Sequence, residues 1–354
     1  MATTFKTLLN SDIANTRTLL HEAIPITGTI VSGTYNDENI KTFAHGMFEA
    51  VYDYPYLSSS ANHIFDISAG FSPHSALSGT STTQNAKKIN IYNQHAQVLA
   101  GYSVSGTIQE FDQNGDFADG GTKMREVFFV NFSRLLTKDE IKKDSFRMTL
   151  ITSASSIRTG SSVALSRFTL GDYGASTDFK VNSPAGEYAL LYSSASSDEP
   201  LGHVYYQTGI AVLTASIFSG AFGDPGRAGI DTDQDRATQF AVQAQLTGST
   251  IANLANGLRY TLTDIDFNNT TELNSTIYFC RANTQDYNYS ANPSYLSSSK
   301  IHVKGDNPKE QPVSYITTVG LYSATNELLA VAKLSEPLKK SPSNEITLRV
   351  RLDY

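Results

Sequence analysis

The chain has 354 residues, with 27 Lys and Arg against 34 Asp and Glu and a formal net charge of -7. This balance argues against a broad nucleic-acid-binding face, which needs clustered cations to displace phosphate counterions. Hydrophobic residues make up 40% and charged residues 17%, with 19 Tyr, 18 Phe and no Trp. The chain can therefore fill a core, and full disorder is not expected. The 40 Ser and 36 Thr, together with Tyr, Phe, Val and Ile, favour strands and turns over long helices.

Over residues 4–24 the apolar side chains Phe5, Leu8, Leu9, Ile13, Leu19, Leu20 and Ala23 recur at roughly three- and four-residue steps, with Ser11-Asp12 as a helix start and Pro25 as a stop. This predicts one or two short helices. Such an arm cannot bury its stripe alone, so it is expected to pack on the body or on a neighbouring subunit. Residues 26–35 switch to β composition and fade into a turn at 36–39. The aromatic segment 45–56 reads as a short helix ending before Pro55. Ser-rich loops then flank a strand at 63–68, and a helix is favoured from about Ile89 to 100.

Residues 127–132 read as a buried strand. Thr137 and Glu140, three apart, resemble a capping box at a helix start, and the alternation of Phe146, Met148 and Leu150 predicts another strand. Strands at 188–192 and 204–213 precede a glycine loop at 222–229 and a helix at 236–246. Further strands are expected at 260–267, 275–281, 300–304, 313–322, 328–334 and 346–353. The prediction is a mainly β fold: an antiparallel β-sandwich-like body with a short N-terminal helical arm and a few inserted helices. Its expected parts are the arm (1–25), a β-rich domain (26–222) and a C-terminal β domain (223–354) ending in a hairpin plus a last strand.

Candidate chemistry is sparse. Asp112, Asn114, Asp116 and Asp119 place oxygen-bearing side chains close together, as a calcium loop does. However, Phe117 and Lys123 stand where such a loop has glycine and glutamate, and the Asn-Gly and Gly-Gly pairs equally make a plain acidic hairpin turn. The seven histidines show no zinc-ligand spacing. No Gly-x-Ser-x-Gly elbow, Walker loop or dinucleotide fingerprint occurs, so no catalytic residue is assigned. The lone Cys280 provides neither a disulfide framework nor a multi-thiolate zinc site, and its neighbours Ile277, Tyr278 and Phe279 predict a buried structural thiol. Tyr52, Tyr54, Tyr56, Tyr287, Tyr289 and Tyr295 suit a core, an assembly interface or a sugar platform. No stretch is apolar enough for a membrane helix. The opening residues lack the pattern of a signal peptide, so synthesis in the cytoplasm without an export signal is expected.

The segment 313–354 is the most informative. Val313 to Tyr322 ends on Gly320-Leu321-Tyr322; Asn326-Glu327-Leu328-Leu329-Ala330-Val331-Ala332 leads to Pro337; and Glu345 to Tyr354 forms a last strand. This block resembles the terminal sheet of virion structural proteins of tailed bacteriophages, which include tail, baseplate and fibre-attachment components. The resemblance implies a non-enzymatic virion subunit of the tail, at the baseplate, neck or a fibre-attachment position, assembled in the host cytoplasm. Its partners would be other virion proteins and further copies of itself in a symmetric assembly, with no membrane and no direct nucleic-acid contact. Phe5, Leu8, Leu9, Ile13, Leu19, Leu20, Tyr315, Tyr322 and Tyr354 are the expected assembly interface. The alternative is a carbohydrate- or receptor-binding tail module, with calcium at the acidic turn as its only candidate cofactor. A polysaccharide-degrading tail spike, which needs paired carboxylates, is the third reading.

Overall fold

A computed structural model of the chain describes residues 5–25, 40–52, 63–79, 82–117, 121–151, 167–194, 199–218, 246–288, 296–297, 300–301 and 311–354. The fold is mainly β, with antiparallel sheets and few helices, consistent with a sandwich-like body. Packing separates two compact units: Met1–Leu19 with Glu272–Tyr354, and Leu20–Thr271. This differs from the sequence-based division at 25/26 and 222/223. The last strand pairs with the chain near residue 280, which puts the two chain ends in one unit.

The unit Leu20–Thr271 is built on an eight-stranded sheet. In spatial order its strands are β2 (Ile40–Thr42), β3 (Glu49–Tyr52), β4 (His63–Phe71), β5 (Glu126–Phe132), β12 (Ile210–Thr214), β11 (Gly202–Tyr205), β10 (Gly186–Leu191) and β9 (Lys180–Ser183). Successive side chains of a strand point to opposite faces, and here both faces are covered. One face sends Phe65, Phe128, Val130 and Leu213 against a second sheet that holds β7 (Arg147–Ile151), β8 (Arg167–Gly171) and, within this unit, the first half of β13 (Leu262–Ala282). Phe146, Met148, Leu150, Leu170, Ile265 and Phe267 complete that core. The other face presents Val127, Phe129, Tyr188, Tyr205 and Val212 to the helix α1 (Thr83–Leu99) and the segment 100–124.

Local chemistry starts and stops these elements. Thr82 caps α1 by accepting the Asn85 N–H at 3.1 Å. Close docking of α1 on β4 requires Gly70, where a Cβ would lie 2.8 Å from the Lys88 carbonyl oxygen. Lys88 itself is fully buried, and its ammonium donates to the carbonyls of Leu246 and Ser249 at 2.5 and 2.7 Å. Ser249 immediately precedes Thr250, which caps α3 (Ile251–Thr261) through the Asn253 N–H at 3.1 Å.

Several expectations are corrected. Segment 45–56 is not helical where it is described, because residues 49–52 form the fully buried strand β3 between β2 and β4. Thr137 ends a helix instead of starting one. The short α2 (Arg134–Thr137) stops where Lys138 turns to φ 53°, and Glu140–Ile141 becomes β6, paired with Thr270 and Asn269 of β13. The predicted strand 204–213 is a hairpin, β11 and β12, turning at 206–209. The expected helix 236–246 falls almost entirely outside the described residues. The helix α3 was not anticipated at all.

In the unit containing both chain ends, the N-terminal arm is not helical. A single 3-10 turn at Asn10–Asp12 leads directly into β1 (Ile13–Pro25), which neighbours β13. Its side chains are mostly exposed at every step, so neither a helical nor an alternating stripe is buried. β18 (Ile346–Asp353) pairs antiparallel with the last part of β13 from Ser275↔Asp353 to Ala282↔Ile346. It half-buries Ile346, Leu348, Val350 and Leu352 on one face and exposes Thr347, Arg349, Arg351 and Asp353 on the other. Two further two-stranded sheets complete the described part: β14 (Leu296–Ser297) with β15 (Lys300–Ile301), and β16 (Ser314–Tyr322) with β17 (Leu328–Lys340).

Candidate assembly interface

The residues expected at an interface are arranged by strand pairing and by a small polar framework. Asp12 is nearly buried; it accepts the Leu9 N–H at 3.1 Å and the Arg281 Nε–H at 2.8 Å, tying the 3-10 turn to β13. Asn15 accepts the Thr276 hydroxyl at 2.9 Å, and Arg17 pairs with Glu272. Anchored in this way, the segment leaves Phe5, Leu9, Ile13 and Leu19 exposed, and Leu8 partly buried. Leu20, assigned to the other unit, is also exposed.

The hairpin β16–β17 is held at its base by Lys340. This residue is fully buried, and its ammonium donates to Asn288 Oδ1 at 2.7 Å, the Ser341 carbonyl at 2.8 Å and the Thr284 carbonyl at 3.3 Å. Lys340 therefore fastens the hairpin, whereas its sequence context suggests a solubilising surface charge. From base to tip the hairpin exposes Tyr315, Tyr322, Leu328, Leu329, Val331 and Leu338. Tyr322 and Leu328 close over Gly320, where a Cβ would lie 2.9 Å from the tyrosine ring, and Phe5 packs on Tyr322 with ring centroids 4.7 Å apart. Of the predicted interface residues, the structure thus brings Phe5 and Tyr322 together. Tyr354 is 76% exposed, yet its backbone is paired with Asn274. Chemically, such a surface offers apolar area and strand edges to another chain.

The acidic turn has a different geometry. Asp112 is fully buried; its Oδ1 accepts the Asn114 N–H at 3.3 Å, and its other oxygen is paired with the Lys123 ammonium. Asn114 and Asp116 exchange hydrogen bonds at 2.9 and 3.2 Å, while Asp119 lies outside the described residues. Among the described residues, no group of three or more His, Cys, Asp or Glu side chains is placed to hold a metal ion. An open depression of about 390 Å³ beside the turn is lined by Gln113, Asn114, Thr122, Glu199 and Pro200.

Buried titratable groups lie within the unit Leu20–Thr271 and were not legible in the sequence. His203 is fully buried, and desolvation drives its pKa down to about 4. Asp172 is fully buried and accepts from the backbone N–H groups of Asp144 and Phe146, from Arg147 and from the Tyr206 hydroxyl, at 2.7 to 2.9 Å. Burial outweighs these donors and pushes its pKa up to about 6. Burial also lowers the pKa of Lys88 to about 8. Glu49 and Arg259 are both fully buried; desolvation raises the Glu49 pKa, and a hydrogen bond from the Thr42 side chain and then the Arg259 charge partly offset it.

The remaining candidates separate cleanly. Cys280 is half-buried, not fully buried, and burial together with the Asp12 charge raises its pKa. Tyr52 sits in the buried strand β3 and Tyr287 is exposed, while Tyr54, Tyr56, Tyr289 and Tyr295 lie outside the described residues. No described helix is long and apolar enough to cross a membrane. Comparison with protein-family models, with curated proteins and with solved structures gives no match.

Proposed function

We propose that the chain is a structural subunit of a tailed-phage virion, built into the tail at the baseplate, neck or a fibre-attachment position and present in several copies. The observation that carries this reading is the unit containing both chain ends. Its N-terminal segment and its β16–β17 hairpin hold Phe5, Leu9, Ile13, Leu19, Tyr315, Tyr322, Leu328, Leu329 and Val331 in water on an ordered polar framework. A permanent assembly covers such side chains, and interfaces of that kind are large and apolar. The likeness of 313–354 to phage terminal sheets supports the same reading. The mechanism is association without chemistry: apolar side chains and strand edges are removed from water against neighbouring subunits.

The test is to purify particles of the phage encoding this chain by density gradient and probe the fractions with an antibody to it. Co-sedimentation with tails is expected. Recovery of the chain entirely in the soluble fractions would contradict the proposal.

A further inference from the structure

The β16–β17 hairpin has two outer edges of unequal character. β17 carries the devices that blunt an edge strand: Lys333, Glu336, Pro337 and Lys339, and a bulge in which 334–337 lie opposite Thr317 alone, between the pairs Ile316↔Leu338 and Thr318↔Lys333. β16 carries none of them. Its nine residues, Ser-Tyr-Ile-Thr-Thr-Val-Gly-Leu-Tyr, contain no charge and no proline. Among the described residues β17 is its only strand partner. The other strands at sheet edges are short, as β9 and β14 are, or carry charges, as β1 does with Arg17 and Glu22 and β18 with Arg349 and Arg351. A hairpin of two strands is marginal in water, and three or more strands are needed for a sheet to stand by itself.

We infer that the outer edge of β16 pairs antiparallel with β16 of a second copy of this chain, giving a continuous four-stranded sheet β17-β16-β16-β17 across a two-fold axis. A two-fold pairing places each residue near its own equivalent, so a charged strand would meet its own charge. The absence of charge in β16 is what permits self-pairing, and the resulting contact is isologous and closes. With the axis at Thr318, the two threonines lie side by side, Thr317 meets Val319, Tyr315 meets Leu321 and Ile316 meets Gly320. The Thr318, Thr317–Val319 and Tyr315–Leu321 pairs join β-branched, hydroxyl, aromatic and aliphatic side chains on a pleated surface, and Gly320 sets no side chain against Ile316. This inference rests on the reading of the chain as an assembling subunit and names one of its partners.

The experiment uses the full chain in solution. Sedimentation equilibrium is expected to show a monomer–dimer equilibrium. Thr318→Glu keeps the hairpin, because Lys333 stands opposite, but sets two carboxylates against each other at the axis. It is expected to weaken dimerisation about tenfold, with partial recovery in high salt and an unchanged circular dichroism spectrum. Under mild oxidation T318C is expected to cross-link as a dimer, and S335C on the blunted edge is not. A monomeric wild-type chain, dimers indifferent to T318E, or cross-linking of S335C without cross-linking of T318C would overturn the inference. Dimers in solution without incorporation into particles would instead remove the virion reading and leave the edge pairing standing.

Discussion

Tyr354 and Asn274 exchange both backbone hydrogen bonds: the Tyr354 N–H donates to the Asn274 carbonyl at 2.9 Å and the Asn274 N–H to the Tyr354 carbonyl at 3.3 Å. The pair extends the β13–β18 ladder, and Thr276 Oγ1 adds a hydrogen bond to the Tyr354 hydroxyl at 3.0 Å. The last strand is therefore completed within one chain. Deleting Tyr354 alone removes these three hydrogen bonds and is expected to cost about 2 kcal/mol, at roughly 0.5–1 kcal/mol each. Deleting 346–354 strips the edge of β13 and is expected to abolish amide protection at 275–282 in hydrogen exchange. Unchanged protection there would contradict the pairing.

The buried Lys340 predicts a large local effect. Replacing it by Met keeps much of the stem but leaves Asn288 Oδ1 and the carbonyls of Thr284 and Ser341 without their shared donor. The expected loss is about 3 kcal/mol, read as early urea unfolding of the unit that contains the hairpin. The same change at Lys339, which is exposed, is expected to move the transition by less than about 0.5 kcal/mol.

His203 and Asp172 act in opposite directions on acid stability. The pKa of His203 lies at about 4 in the fold, below the ordinary 6.5, so between those values the unfolded chain binds the extra proton. Stability is then lost as pH falls, by about 3 kcal/mol. The pKa of Asp172 lies at about 6, above the ordinary 3.8, so the folded chain takes up the proton first and stability is gained as pH falls through about 6. Thermal melts at about pH 7 and about pH 5 are expected to show H203Q gaining relative to wild type on acidification and D172N losing. Parallel shifts for both variants would contradict the assignment.

The Asp112–Lys123 pair sets the expectation for the acidic turn. Lys123→Met leaves a buried carboxylate without its ammonium partner and is expected to cost about 3 kcal/mol. Because that ammonium already meets Asp112, calcium addition and chelation are expected to leave the wild-type melting temperature unchanged. A calcium-dependent rise would return the turn to the class of cation sites.

How much of this was legible in the sequence depended on burial. Phe146, Met148 and Leu150 alternate because β7 buries one face, and that period is plain in the residues. β18 was located for the same reason. β1 was misread because its side chains are mostly exposed, so nothing enforced alternation and the chance three- and four-residue spacing of Leu9, Ile13, Leu19 and Leu20 looked helical. In α3 the buried Ile251, Leu254, Ala255 and Leu258 do stand at helical spacing behind the Thr250 cap, but Gly257 in their midst obscured it. Phe5, Leu9, Ile13, Leu19, Leu20, Tyr315, Tyr322 and Tyr354, named from the sequence as interface candidates, are exposed, whereas the exposed Leu328, Leu329, Val331 and Leu338 were not named. The buried roles of Lys88, Lys340, His203 and Asp172 were not legible, since only tertiary packing removes those side chains from water.

The central claim, that this chain is an assembling virion subunit, is tested most directly by quantitative mass spectrometry of purified particles and isolated tails. The prediction is that the chain is present in tails at a fixed ratio to the tail tube protein, set by the rotational symmetry of its position. Its absence from particles, or a ratio that varies between preparations, would contradict the account.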